Sequence, residues 1–222
     1  MGFFACGIAK AAPVDKAVAQ KYRKWLENGE EASMAYMTNY LEKRLDPRLL
    51  VPGIRSIVSL ALNYAPAQQL PKGEYQIAAY ALGLDYHDLM KQKMRELAIK
   101  IIERWQLPKQ GEGEESSVRC FCDTAPVLER YWAQKAGLGW VGRNHQLIIP
   151  HAGSMFFLGE IFLPFDVDVY DEPMSNRCGS CHRCIDACPT RAIIPDEDFH
   201  AELCLSYQLI ENRGELSDEA KS

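Results

Sequence analysis

Four cysteines stand within eleven residues, Cys178-Gly-Ser-Cys181-His-Arg-Cys184-Ile-Asp-Ala-Cys188-Pro189. No other stretch constrains the chain as much. The spacing is the C-x2-C-x2-C-x3-C-P run of bacterial two-cluster ferredoxins. Three thiolates at two-residue steps wrap one [4Fe–4S] cube, and the proline turns the chain away. The fourth cysteine of such a run binds the other cluster, so a second ligand set is implied. Cys204 follows Cys188 by sixteen residues and fits that second set. A structural zinc site prefers C-x2-C pairs split by a longer loop. A disulfide framework suits small secreted chains, and nothing marks this one as secreted.

The chain has 222 residues, 47% hydrophobic and 25% charged, which are ordinary globular values. That length suits one large domain with a small appendage. We place the boundary at 170, giving a domain over 1–170 and an iron–sulfur module over 171–222. No segment carries the 18 or more apolar residues of a membrane span. The first residues, Met1-Gly-Phe-Phe-Ala-Cys6, have no basic n-region and do not read as a signal peptide. A cytoplasmic protein is expected, where reduced thiols can hold a cluster. Charge is uneven: residues 196–222 hold eight acids against Arg213 and Lys221, while residues 1–60 hold nine bases against six acids. The overall charge of −5 does not by itself point to nucleic acid.

Val14, Val18, Tyr22 and Trp25 recur at helical steps, and Asn28-Gly29 closes that helix. A second helix is expected over 34–45, ended by Pro47. Ser56–Asn63 reads as a buried strand. Residues 85–105 form the strongest helix pattern, with Leu89, Met94, Leu97, Ile101 and Trp105 as its stripe. Residues 110–117 read as a Gly/Glu/Ser loop. Val118–Asp123 alternates as a strand, with Val118, Cys120 and Cys122 on one face and Arg119, Phe121 and Asp123 on the other. Thr124 or Asp123 then caps a helix that carries Glu129 and Arg130 and ends at Gly137. Residues 146–149 and 155–163 read as strands, and 166–176 as a polar linker. The order lacks a regular βαβ beat and a G-x-G-x-x-G after a strand, so a Rossmann unit is not supported.

Outside the cysteine run the residues leave alternatives open. Asp123, beside Phe121 and two cysteines, suits either a desolvated general acid or an ordinary N-cap carboxylate, and spacing favours the cap. Arg44 and Arg48 flank a proline turn that suits an anion clamp or a solvated pair. Gly137-Leu-Gly-Trp-Val-Gly142 suits a backbone close to a large ligand, or a tight connection. Cys6, Cys120 and Cys122 read as small buried hydrophobes.

Taken together, several stretches resemble the epoxyqueuosine reductases. They are Lys43-Arg44-Leu-Asp-Pro-Arg48, Asp85-Tyr86-His87, Cys122-Asp-Thr-Ala-Pro-Val-Leu-Glu-Arg130, Ala136–Asn144, Gly153–Glu160, the cysteine run and Cys204-Leu-Ser206. The resemblance covers nearly the whole chain in order. It implies an α/β (α+β) fold: a nitroreductase-like cobalamin domain followed by a partial ferredoxin-like module. It implies reductive removal of the epoxide oxygen of epoxyqueuosine in a tRNA anticodon loop. Electrons would come from a reduced donor such as flavodoxin or ferredoxin, through two [4Fe–4S] clusters, to cobalamin. The proton donor of the family falls on Asp123. The cobalamin-lining positions fall on Arg44, Ala78, Asp123, Leu147, Leu158 and Ser206. Tyr86, His87 and Arg143 fall near substrate or corrin. Cys178, Cys181, Cys184, Cys188 and Cys204 fall on cluster ligands.

The same resemblance implies a helix before Gly2 and a further cysteine run after the last residue here, which would complete both clusters. The expectation is a piece of a longer protein that holds its clusters poorly alone. An iron–sulfur electron carrier, a cobalamin carrier and a reductive dehalogenase-like enzyme are the competing readings.

Overall fold

The structure, a computed structural model, describes residues 1–68, 71, 73–75, 77–107, 118–194 and 199–221. Its strands are β1 (Ala5–Lys10), β2 (Ser56–Asn63), β3 (Arg119–Phe121), β4 (Trp140–Val141), β5 (Leu147–Ile148) and β6 (Phe156–Leu163). Its α-helices are α1 (Lys16–Glu27), α2 (Leu41–Leu45), α3 (Pro47–Leu50), α4 (Tyr86–Arg104), α5 (Glu129–Lys135), α6 (Arg183–Asp186), α7 (Leu205–Ile210) and α8 (Asp218–Lys221).

Four strands form one antiparallel sheet in the order β1-β2-β6-β3, and β4 and β5 form a separate hairpin. β2 lies inside the sheet with both faces covered, so all its residues but Asn63 are buried. Strand side chains alternate between faces. One face sends Ile57, Ala61, Phe121 and Phe162 against Trp132 and Ala133 of α5. The other sends Val58, Leu60, Leu62 and Ile161 against Met90, Met94 and Ala98 of α4. The sheet is therefore sandwiched between helices, an α+β layering.

Several expectations meet the structure closely. β2 spans the residues expected, and the faces assigned to Val118–Phe121 hold, with Val118 and Cys122 on the α4 side and Phe121 on the α5 side. α4 begins one residue after Asp85, whose side chain accepts the His87 N–H at 2.9 Å as an N-cap.

Others are corrected. The helix expected over 34–45 breaks at Tyr40, which takes a left-handed φ of 55° between a 3-10 turn and α2. Pro47 does not simply end it, because Asp46 caps a new turn, α3. The buried stripe of α4 centres on Met90, Met94 and Ala98, while Trp105 is exposed. The helix after Asp123 starts only at Glu129, so neither Asp123 nor Thr124 is its cap. Cys6 lies exposed on β1, a strand the sequence reading did not anticipate. The loop expected over 110–117 lies outside the described residues. Among the described residues no helix is long and apolar enough to cross a membrane.

After β6 the chain runs without a regular element to α6. It is nonetheless fastened. Asp171 donates its N–H to Ile8 O at 2.9 Å and accepts the Ile8 N–H on Oδ2 at 2.7 Å, extending the β1 edge. The last described stretch returns to the first forty residues. Phe199 O accepts the Trp25 indole, Ala201 N–H meets Glu30 O, and Tyr207 Oη lies 2.6 Å from Ser33 Oγ.

Candidate functional site

Where the C-terminal ends of β3 and β2 meet the start of α4, an open cavity of about 1130 Å³ forms. Ligand pockets ordinarily hold about 300–1,000 Å³, so this one suits a large group. Its wall carries the aromatic and apolar Tyr36, Tyr40, Tyr64, Tyr80, Phe157 and Leu158, interleaved with polar groups that include Arg44, Asp123, Arg130 and Glu211.

Asp123 follows β3 in a left-handed conformation, φ 61°, which an aspartate tolerates better than most residues. The turn aims its carboxylate at the start of α4. There Asp123 Oδ2 accepts the Tyr86 hydroxyl at 2.6 Å and lies 3.2 Å from His87 Nε2. His87 Nδ1 lies 2.9 Å from Asp85 Oδ1. Each ring nitrogen thus faces a carboxyl. A carboxylate only accepts. The two contacts are satisfied by an imidazolium between two carboxylates, or by a neutral ring that accepts the proton of a carboxyl. These arrangements differ only in where one proton sits. The array can therefore hold a proton and pass it to Asp123.

Tyr86 is clamped flat on Phe157, ring centroids 4.3 Å apart. Burial, then the bond to Asp123, push its phenol well above the ordinary tyrosine range, so it stays a donor. The desolvation anticipated for Asp123 is not found, since its side chain is 57% exposed. The desolvated carboxyls lie behind it. Glu129 Oε1 accepts the Asp123 N–H at 2.5 Å, and burial pushes Glu129 up to about 7. Glu160, in the middle of β6, is fully buried, and neither carboxyl oxygen has a hydrogen-bond partner. Burial, then Glu129, hold it well above the usual carboxyl range.

Of the positions anticipated around a corrin, Arg44, Asp123 and Leu158 line the cavity, as does Tyr86. The structure does not bring the others to its wall. Leu147 is buried in the core, while Ala78 and Ser206 are exposed and are not among the residues lining the cavity. The Arg143 guanidinium is turned to Cys181 O, 2.5 Å away, so it braces the cysteine loop. The glycine run belongs to packing, because a Cβ on Gly139 would stand 2.1 Å from Ile148 O. Glu129 and Glu160 had no assigned role in the sequence reading. The signal for Glu160 was a lone acid inside the apolar run 155–163.

The cysteine loop sits against the β4–β5 hairpin. Trp140 Nε1 lies 3.4 Å from Cys178 Sγ, and Cys188 Sγ accepts the Ala192 N–H at 3.3 Å. Burial works against a Cys188 thiolate, but the N–H groups of Ile193 and Ala192 and the Thr190 hydroxyl outweigh it and lower its pKa. Hydrogen bonds to sulfur are what cluster thiolates receive. Among the described residues no three His, Cys, Asp or Glu side chains converge as ligands of a single metal ion. Ligands of a cube each hold a different iron and stand further apart.

A proton-holding array in a wide cavity, with sulfur ligands braced nearby, defines an iron–sulfur oxidoreductase. The family model for a 4Fe-4S double cluster binding domain matches residues 177–222, and the model "Epoxyqueuosine reductase QueG, DUF1730" matches residues 44–124. The epoxyqueuosine reductase of Cellulophaga algicola is 42% identical over 219 residues, covering 99% of this chain and 68% of that protein. The chain belongs to the epoxyqueuosine reductase family. The solved structure from Streptococcus thermophilus superposes with a TM-score of 0.82 at 29% identity, covering 98% of this chain and 57% of that one. An epoxyqueuosine reductase solved with an epoxyqueuosine-modified tRNA-Tyr stem loop gives 0.78 at 27% identity, covering 98% and 56%. A Bacillus subtilis structure with its catalytic loop swung out of the active site gives 0.76 at 27% identity, again covering 98% and 56%.

Proposed function

We propose that this chain carries the catalytic cavity of an epoxyqueuosine reductase, converting epoxyqueuosine in tRNA to queuosine, with Asp123 as the proton donor. The observation that carries the reading is the Asp85–His87–Asp123 array opening into a cavity broad enough for a tetrapyrrole.

The residues present fit the cofactors of the family. Arg44 lines the cavity, and its Nε is a buried donor without a partner, suited to an oxygen on a corrin side chain or tail. Leu158 and the tyrosines supply the apolar wall a corrin needs. Cys178, Cys181 and Cys184 hold one [4Fe–4S] cluster, and Cys188 and Cys204 contribute to the second. Residues 1–170 form the cobalamin domain and 171–222 the iron–sulfur module. When bound, these groups bring electrons from a donor such as flavodoxin or ferredoxin to the epoxide.

Removing an epoxide oxygen as water takes two electrons and two protons. An alkoxide is a poor leaving group, so the first proton must reach the oxygen as its C–O bond breaks. Asp123 Oδ2 is placed to give it, and His87 replaces it by shifting one proton along the array. Tyr86 fixes the carboxyl by its hydroxyl. The modified base enters splayed from its loop, and exposed Tyr36 and Tyr40 offer aromatic faces beside it. The reaction belongs in the cytoplasm, where tRNA and reduced thiols coexist.

Asp123→Asn tests this. Turnover of epoxyqueuosine-tRNA should fall on the order of 10²- to 10⁴-fold, with cobalamin absorbance showing the cofactor still bound. Unchanged turnover would remove Asp123 from the chemistry and favour a carrier. Turnover of an organohalide instead of the modified tRNA would favour a dehalogenase.

A further inference from the structure

We propose that Glu129 is the positioning residue that keeps Asp123 in the cavity, its carboxyl gripping the Asp123 backbone N–H. The Asp123 side chain bonds only groups that a mobile turn could leave behind, Tyr86 and His87. The left-handed backbone of Asp123 is tolerated by aspartate at some cost, which a bond to its N–H helps to offset. Glu129 Oε1, 2.5 Å from the Asp123 nitrogen, is that anchor. In the Bacillus subtilis relative a catalytic loop has been seen swung out, so such a loop has two positions in the family.

Glu160 makes the anchor sensitive to protons. It pairs with Phe121 on β3 and with Ser59 on β2, on the sheet face that α5 covers. Neither Glu160 oxygen nor Ser59 Oγ has a partner, and both residues are fully buried. No donor is bonded to either oxygen there, so burial favours the protonated form of Glu160 and leaves any charge on Glu129. The groups facing Glu129 are Asp123 and Cys122 from the turn, Tyr86 and His87 from α4, Arg130 from α5 and Glu160 from β6. An ionised carboxylate is the stronger acceptor. The anchor therefore tightens as Glu129 ionises, around pH 7, and slackens below it.

The test is amide hydrogen exchange on the full chain, with Glu129→Leu and Glu129→Gln. Loss of the anchor in Glu129→Leu should speed exchange at Asp123 on the order of 10- to 100-fold, leaving β2 and β6 unchanged. Glu129→Gln, which keeps an acceptor oxygen, should restore most of the protection. Wild-type protection, corrected for intrinsic rates, should rise through about pH 7, and Glu129→Gln should lose that rise. Unchanged exchange at Asp123, or equal acceleration everywhere, would overturn the proposal. So would a pH response that persists in Glu129→Gln. Its catalytic consequence, a lower kcat at unchanged KM in Glu129→Leu, rests on Asp123 as the proton donor. The exchange arm does not. Fast exchange in Glu129→Leu beside full activity in Asp123→Asn would keep the anchor and discard the acid.

Discussion

At the scale of single residues, the largest physical anomaly is Glu160. A buried carboxyl without a donor stays neutral, while the unfolded chain ionises it above about its usual 4.5. The folded state therefore binds a proton that the unfolded state has released. Stability is fully present below about that value and falls as pH rises through the window up to the folded pKa. The slope is about 1.4 kcal/mol per pH unit for one such group. Glu129 adds a slope of the same sign up to about pH 7. Urea unfolding at about pH 5 and about pH 7.5 should show wild type weakening and Glu160→Gln weakening less. Equal slopes would mean that Glu160 is already ionised in the fold. Asp123, Tyr86 and His87 were legible in the sequence as motif residues, but the bonds joining them were not. They lie 36 and 37 positions apart, and only the sheet closes that gap. The same holds for Glu129 and Glu160, whose environment is set by long-range strand pairing.

At the scale of elements, what could be read from local pattern was the part governed by local rules. β2 is an apolar run wholly inside the sheet, and α4 has a strong cap and a long periodic stripe, so both were visible. β1 was missed because its small residues, Ala5, Gly7 and Ala9, give no clear alternation. The helix over 34–45 was misread because no Gly or Pro marks the left-handed Tyr40. The glycines of 137–142 admitted two explanations, and tertiary contact chose between them. Gly139 lets β4 lie against β5, where a Cβ would overlap Ile148 O. Gly139→Ala should therefore cost about 1–3 kcal/mol of stability as overpacking, read as a lower Tm. Cobalamin affinity measured well below that Tm should be little changed. A weakened affinity at unchanged Tm would return this hairpin to the ligand wall.

At the scale of the whole molecule, the proposed function requires two kinds of chemistry to meet: electrons from sulfur-held iron and protons from Asp123. The chain joins them through the β4–β5 hairpin and the returning C-terminal stretch. The hairpin holds the cysteine loop by Trp140 and Arg143. Residues Ile210 and Glu211, just after Cys204 in sequence, line the cavity that Asp123 enters, and Tyr36 Oη donates to Glu211 at 3.1 Å. On that reading, a module whose residues reach the cavity wall suits one-electron transfer into it. The Trp140 N–H adds a second effect, because a donor aimed at a cluster thiolate stabilises the more negative, reduced state and raises its potential. Trp140→Phe keeps the ring and removes that N–H. In the longer native chain, reconstituted with iron so that both clusters are fully ligated, an EPR-monitored redox titration should then show the cluster proposed for Cys178, Cys181 and Cys184 shifted to a more negative potential. The cluster of Cys188 should not move, since its sulfur takes its hydrogen bonds from Ala192 and its neighbours. A shift shared equally by both clusters would mean that the substitution loosened the whole module, and no shift would mean that Cys178 receives nothing from the indole once iron is bound.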